Sequence, residues 1–157
     1  MQNKLHWAIT GQTAAEIIKE RADSSKPNMG LTVWRESKPR KQDVTIAKNY
    51  LNEEELSALN NLVEQYLVFA EGQAVRRVPM NMQDWIIKLD GFLTLNDRDI
   101  LSHAGKISHE IAKQIAESEY DIFHKKNQQE DAETDGDFEK IITYIESSNK
   151  RTKSYET

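Results

Sequence analysis

The most regular hydrophobic pattern in the chain runs from Asn52 to Arg77 and predicts an α-helix. Apolar residues recur there at steps of three and four, which places them on one stripe of a helix. Asn52 and Glu55 are spaced as a capping box, in which each side chain bonds the other residue's backbone amide, and Pro79 ends the segment. The predicted buried stripe consists of Leu56, Leu59, Val63, Tyr66, Leu67, Ala70 and Ala74.

Shorter amphipathic patterns lie on both sides of this segment. Thr13 and Glu16 form a second capping-box sequence that opens a short helix, and Asn81 can cap a helix with its own apolar face. Ser108 is a possible start of another long helix. The sequence therefore predicts an all-α fold, an antiparallel helical bundle around a long central helix.

The stretch between the second helix and the central one predicts a long ordered loop. No period is sustained over residues 23–43, which contain Pro27 and Gly30. Trp34 is expected to anchor this loop, because an aromatic side chain of that size is seldom left wholly in water. Residues 44–51 then predict a short helix that leads into the central one, although their β-branched residues weaken the pattern.

The composition changes near the end of the chain. Residues 127–137 are polar and acidic with no large apolar side chain, which indicates a linker. Apolar residues then recur from Phe138 to Ile145 in a last amphipathic pattern. We expect a bundle domain over residues 1–126, an acidic linker over 127–137, and a peripheral amphipathic helix with a frayed tail over 138–157. That helix could dock on the bundle, pair with another copy, or order only on binding.

Length and composition indicate one cytoplasmic domain. The chain has 157 residues, no cysteine and a net charge of −5, which excludes disulfides and thiolate zinc sites and fits a reducing compartment. Tyr66 to Ala70 is the longest apolar run and is far too short to cross a bilayer. Residues 2–9 read as the middle of an element without a cap, so we expect that the natural protein continues upstream.

No catalytic or metal-binding motif is apparent. His109 and Glu110 are adjacent, and adjacent residues point about 100° apart on a helix, so they cannot share an ion. No nucleophile elbow, phosphate-binding loop or dinucleotide motif occurs. We expect no catalytic residues, no metal and no cofactor, and the four histidines are expected to face solvent or cap helices; they are His6, His103, His109 and His124.

A basic cluster in and around the predicted loop is the best candidate for a binding site. Fixed positive charge beside the aromatic Trp34 is the mixture that phosphate groups and stacked bases require. The alternative is a solvated loop, since short basic clusters are common on surfaces. The candidate nucleic-acid or ligand-binding residues are Arg21, Asp23, Asn28, Trp34, Arg35, Lys38, Arg40, Lys41 and Lys48.

Four blocks of sequence also carry a family resemblance. In order they read HWAITGQTAAEIIKERADSSKPNMGLTVW, DVTIAKNYLNEEEL, DWIIKLDGFL and SHAGKISHEIAKQIAESEYDIF. Together they resemble the carboxy-terminal half of the RhuM family of virulence-associated bacterial proteins. The resemblance implies a DNA-binding protein whose DNA-binding region lies in an amino-terminal half that this chain lacks. It implies no catalytic residue that can be carried over.

Two functional hypotheses follow. The first is a non-catalytic helical interaction or oligomerisation module of a RhuM-like DNA-binding protein, with a second copy as a possible partner and DNA contacted through the missing amino-terminal domain. The second is a nucleic-acid-processing or ligand-binding domain with its site in residues 21–48. Neither hypothesis involves a membrane.

Overall fold

The computed structural model describes the backbone of residues 1–153 and the side chains of residues 1–147. Within this part of the chain the regular structure is helical and contains no β-strand, which confirms the predicted all-α class. Three short 3₁₀-helices lie between the second and third α-helices, at Pro27–Gly30, Asp43–Thr45 and Ala47–Tyr50. The α-helices are α1 (Gln2–Thr10), α2 (Ala14–Arg21), α3 (Glu53–Val75), α4 (Met82–Leu95) and α5 (His109–Lys153).

The chain divides into two compact units, Met1–Tyr120 and Asp121–Thr157. The first unit contains α1 to α4 and the first turns of α5, and the second contains the remainder of α5. Residues 127–137, expected to form a linker, are helical and belong to α5. The division into functional domains at these residues stays a prediction.

Helix α3 is the continuous central helix that the hydrophobic pattern predicts. The Asn52 side chain accepts a hydrogen bond from the Glu55 amide at 2.8 Å, and the Glu55 carboxylate accepts one from the Asn52 amide at 3.1 Å. The capping box is therefore confirmed. The predicted stripe is wrong in part, because Leu67 is 62% exposed and Ala74 is also exposed, whereas Leu62 is buried. The spacing of apolar residues alone does not determine whether Leu62 or Leu67 is buried. The positions of α1 and α4 decide which side of α3 is covered.

One hydrophobic cluster in the core of the first unit forms where α1, α3 and α4 meet. Its buried side chains are Ala8, Leu62, Tyr66, Leu89 and Leu93. A salt bridge of 2.8 Å from Lys4 to Asp90 joins α1 to α4 beside this core. The antiparallel order of the helices stays a prediction. Partly buried residues that complete the core are Leu5, Ile9, Phe69, Trp85 and Phe92.

Residues 44–51 do not form the single short helix that was expected. They contribute to two 3₁₀-helices separated by Ile46, whose φ of −108° and ψ of 110° are those of extended chain. β-branched side chains lose rotamer freedom in a helix, and three occur in a row from Val44 to Ile46. The expected burial of Ile46 is also wrong, since it is 45% exposed. Tyr50 is buried as expected, and its hydroxyl donates to the Val44 carbonyl at 2.7 Å.

Helices α2, α4 and α5 begin at the capping residues that the sequence predicts. Thr13 and Asn81 cap α2 and α4 in capping boxes. The Ser108 hydroxyl accepts a hydrogen bond from the Ile111 amide at 3.3 Å at the start of α5. Glu16 also accepts a 2.7 Å hydrogen bond from the Lys106 amide, which ties the chain before α5 to the first turn of α2. Local capping chemistry and one long-range bond therefore fix these three starts.

The loop after α2 depends on one glycine. Gly30 has a φ of +78°, and a Cβ atom built there would lie 2.4 Å from the Arg21 carbonyl oxygen. Only glycine has both the conformational freedom and the space for this position. The contrasting case is Gly72 in the last turn of α3, where an added Cβ atom has nothing within 4 Å.

We expect Gly30→Ala to lower the free energy of unfolding by about 2–4 kcal/mol, because the new methyl group meets backbone that cannot move aside. Gly72→Ala is the control and should raise it by roughly 0.5–1 kcal/mol, since alanine favours helix more than glycine does. Urea denaturation followed by circular dichroism measures both. Equal stability of the two variants would contradict this account of Gly30.

Candidate functional site

Arg21, the first predicted binding residue, is held by an ion pair. Its guanidinium donates to both carboxylate oxygens of Glu55, at 2.7 and 2.9 Å, and to the Tyr50 carbonyl at 3.0 Å. Such two-pronged contacts are among the stronger charged hydrogen bonds in proteins. The hydrogen bond from Arg21 lowers the pKa of Glu55, and the same contact raises the pKa of Arg21. Arg21 thus fastens the end of α2 to the start of α3.

Asp23 and Asn28 shape the loop that follows. The Asp23 carboxylate accepts hydrogen bonds from the Ser25 hydroxyl and amide at 2.5 and 2.9 Å, and these bonds lower its pKa. Asn28 and Met29 both have left-handed backbone, with φ of 52° and 60°. This conformation buries the Met29 side chain completely. The polar groups of Asp23 and the backbone of Asn28 therefore hold the turn in shape.

Trp34 and Arg35 line an open cleft of about 320 Å³. Trp34 is half-buried and Arg35 is exposed. Asp43 lies on the same cleft, but its carboxylate accepts the Arg40 amide at 2.9 Å, and its carbonyl accepts the Asn49 side chain at 3.0 Å. An indole with an exposed guanidinium beside it can contact a planar or anionic group.

The remaining predicted residues lie on exposed surface around this loop. Arg40 forms an ion pair with Glu36 one turn away. Lys38, Lys41 and Lys48 are exposed. Of the nine predicted residues, Trp34 and Arg35 lie together on the cleft, and the binding role of the set stays a prediction.

Sequence reasoning missed the other walls of this cleft. Gln42 and Asn49 line it across from Trp34, because the 3₁₀-helices fold residues 42–49 back beside residues 33–35. The Thr32 amide fixes this approach by donating to the Asn49 carbonyl at 2.7 Å. No local sequence pattern predicts such a long-range pairing. The sequence therefore does not indicate that these two residues line the cleft.

Two further clefts lie on the first unit. One of about 490 Å³ is bordered by Trp7, Lys19 and Lys106, and one of about 530 Å³ lies beside Asn3, Ala15 and Ser108. Neither cleft contains a member of the predicted set. Both are open at the surface, and neither contains a group of three or more metal-ligating side chains.

A stripe of exposed apolar side chains marks the second unit. Phe138, Ile141, Ile142 and Ile145 are 63%, 56%, 41% and 52% exposed. Their spacing of three, one and three residues places them on one side of α5. We call these four residues the α5 stripe. An apolar face on a helix normally lies against another element, so the stripe is a candidate contact surface.

The described residues contain neither a metal-ligand cluster nor a membrane-spanning helix. No group of three or more metal-ligating side chains comes together within them. None of their helices combines the length and apolar character needed to span a bilayer.

The fold and these surfaces define an all-α protein with an exposed apolar face on one helix. The chain belongs to the virulence protein RhuM family, whose family model matches residues 1–131. Membership in this family suggests a virulence-associated protein. No curated protein and no solved structure shows significant similarity to the chain. The resemblance seen in the four sequence blocks is thereby confirmed at the level of the family.

The ion pair between Arg21 and Glu55 predicts how stability depends on pH. The pKa of Glu55 in the folded protein lies below its ordinary value of 4.5. The pair therefore contributes fully above that pH, and its contribution is lost as pH falls through the lower, folded-state pKa. We expect Glu55→Gln to reduce the free energy of unfolding by about 1–2 kcal/mol at pH 7.

The difference between Glu55→Gln and the native protein should shrink toward zero as the medium becomes acidic. Urea denaturation at several pH values measures this difference. Glu71→Gln, the same change at an exposed position on α3, should leave the pH profile as it is in the native protein. A difference between Glu55→Gln and native that stays constant from pH 7 to strong acid would contradict the role given to this pair.

Proposed function

We propose that this chain is a non-catalytic helical interaction module that brings together two copies of a RhuM-type DNA-binding protein. The observation that carries the proposal is the α5 stripe, four large apolar side chains left 41–63% exposed on one side of a helix. A helix segment draws most of its stability from packing of its apolar face. A second copy offers the matching face.

The expected strength of this association is modest. Each partly exposed side chain of the stripe would contribute about 1 kcal/mol on burial, so the eight in a dimer contribute about 8 kcal/mol. Association itself costs about 4–15 kcal/mol of translational and rotational freedom. At most about 4 kcal/mol remains, which corresponds to a dissociation constant of about 1 mM or weaker from the stripe alone.

A weak module of this kind suits a DNA-binding protein. The family resemblance implies that DNA is contacted by an amino-terminal region outside this chain. Joining two such regions turns the second binding event into an intramolecular one, which raises the overall affinity without any new contact to DNA. The module would thus add binding strength and the spacing of two half-sites.

Sedimentation velocity over a range of protein concentrations tests the proposal. The native chain should shift from monomer toward dimer as concentration rises, and Ile141→Asp should remain monomeric because it places a charge in the stripe. Ile122→Asp is the matched control. Ile122 is 55% exposed on the same helix, but lies about 150° around it from the stripe.

The control variant should associate like the native chain, and circular dichroism should show equal helix content in all three proteins. A native chain that stays monomeric at every concentration would contradict the proposal. Equal loss of association in both variants would also contradict it, since the stripe would then have no special role.

A second candidate function is favoured by the cleft at Trp34. Its exposed guanidinium from Arg35 and its aromatic wall fit a nucleic-acid strand or another anionic planar ligand. Electrophoretic mobility shifts with single- and double-stranded DNA at rising salt would test it. If the cleft binds nucleic acid, DNA binding should depend on salt and should weaken at least severalfold in Trp34→Ala and Arg35→Ala.

Lys113→Ala is a suitable control for the cleft, because Lys113 is an exposed cation of the same unit on α5. It should bind DNA as the native chain does. If no DNA binding is seen at low salt, or if all three variants bind equally, the cleft has no nucleic-acid role.

A further inference from the structure

We infer that the cleft at Trp34 selects an unpaired guanine base, which stacks on the indole and donates two hydrogen bonds to the buried carboxylate of Asp43. This inference rests on the second candidate function given above, because it names the group that occupies this cleft. It does not depend on the proposed association of two copies.

The size and the apolar walls of the cleft fit one planar ring. Its volume of about 320 Å³ lies at the small end of the range for ligand pockets. Val33 and Ile46 line it together with the half-buried Trp34, and these two aliphatic side chains are 46% and 45% exposed. Proteins that bind single bases hold them by stacking against aromatic and apolar side chains. A base in the cleft would cover this apolar surface.

The walls of the cleft are held together by hydrogen bonds within the protein. The Asn49 carbonyl accepts hydrogen bonds from the Thr32 amide at 2.7 Å, the Thr32 hydroxyl at 3.0 Å and the Val33 amide at 3.3 Å. The Asn49 side chain donates to the Asp43 carbonyl at 3.0 Å. Asn49 therefore joins residues 32–33 to residue 43, and a cleft that is already ordered loses little conformational freedom on binding.

Asp43 supplies the polar recognition. It is the buried residue among those that line the cleft, with 3% of its surface exposed. One of its carboxylate oxygens accepts the Arg40 amide at 2.9 Å. A carboxylate has about four acceptor positions, so this bond leaves capacity for a ligand. Hydrogen bonds to a charged group are stronger than those between neutral groups, and burial strengthens them further.

A carboxylate distinguishes the bases by their hydrogen-bond donors. Guanine carries two adjacent donors, the N1–H and the N2 amino group, which together match the acceptors of a carboxylate. Adenine and cytosine present one amino group beside a ring-nitrogen acceptor, and thymine presents one N–H between two carbonyls. An acceptor placed against a carboxylate is repelled, which disfavours these three bases. In a duplex these donors are used in base pairing, so the guanine must be unpaired.

The exposed residues of the cleft fit the rest of a guanine nucleotide. Gln42 lines the cleft with an exposed amide, and the guanine O6 can accept a hydrogen bond from such a group. The exposed guanidinium of Arg35 can contact a phosphate, which adds affinity without any preference for a base. Preference for guanine is therefore assigned to Asp43.

Fluorescence anisotropy of the full chain with labelled single strands tests the inference. The strands are thymidine oligonucleotides that carry one guanine, adenine or cytosine in the middle. We expect the guanine strand to bind roughly five- to a hundredfold more tightly than the others. Inosine in place of guanine lacks the N2 amino group and should lose most of this preference. A 7-deazaguanine strand keeps both donors and should bind as the guanine strand does.

A conservative variant tests the part assigned to Asp43. Asp43→Asn retains one acceptor oxygen for the Arg40 amide but replaces the other oxygen with a donor group. The guanine strand should then bind no more tightly than the thymidine strand, whose own affinity should not change. Asp99→Asn is the matched control, because Asp99 is an exposed carboxylate of the same unit outside the cleft. It should keep the native preference, and circular dichroism checks that both variants fold.

The possible outcomes separate this inference from the function on which it rests. Salt-dependent binding that is weakened by Trp34→Ala but equal for all four bases would overturn the inference and leave the second candidate function standing. Absence of binding to every strand would overturn both. If Asp43→Asn does not fold, the native protein still decides, since equal affinity for the inosine and guanine strands would overturn the inference. Preference for guanine that persists in a folded Asp43→Asn would overturn the role of Asp43.

Unlabelled mononucleotides distinguish the two sources of the base. Guanosine monophosphate should displace the guanine strand, and adenosine monophosphate should not. Displacement only at a large excess would indicate that the base belongs to a strand, because the strand adds phosphate contacts. Displacement at concentrations similar to that of the strand would indicate a free guanine nucleotide. Equal displacement by both mononucleotides would contradict the selection of guanine.

Discussion

The packing of Tyr66 against its aromatic neighbours and α4 is the interaction on which the first unit depends. Its ring lies 5.8 to 6.1 Å from the rings of Phe69, Trp85 and Phe92, at angles typical of packed aromatic side chains. Its hydroxyl donates to the Trp85 carbonyl at 2.5 Å. One side chain of α3 thus holds α4 through both apolar and polar contact. The polar bond also fixes where along α4 the two helices meet.

The two units differ in how far their apolar helix faces are buried. In the first unit, α1 and α4 cover Leu62 and Tyr66 of α3, and the ion pair between Arg21 and Glu55 secures the start of this helix. Leu67 and Val68 of the same helix stay exposed. In the second unit, the α5 stripe remains exposed. The same physical rule, that apolar helix faces need a partner, explains the fold of the first unit and motivates the proposed association of the second.

The sequence predicts the helices well and the cleft poorly, for a physical reason. Helix starts are set by local chemistry, so the capping residues Thr13, Asn52 and Asn81 could be recognised from their spacing alone. Burial within a helix depends on neighbours that are distant in sequence, and this is why Leu62 and Leu67 were exchanged in the predicted stripe. The cleft at Trp34 needs Asn49 beside it, and only the folded loop brings the two together.

The acidic segment 127–137 shows the limit of a structural prediction from composition. Residues 127–137 carry many acidic side chains, a composition that indicates a linker, yet they are helical. Acidic and polar residues such as glutamate and glutamine favour helix almost as well as alanine does, so low hydrophobicity alone does not exclude it.

In the proposed association, a second copy of the chain covers the α5 stripe in solution. Hydrogen exchange of the backbone amides from Phe138 to Ile145, followed at low and high protein concentration, tests this most directly. We expect these amides to exchange more slowly as concentration rises, while those of the first unit keep the same rates. Exchange of residues 138–145 that is equally fast at every concentration would contradict the account.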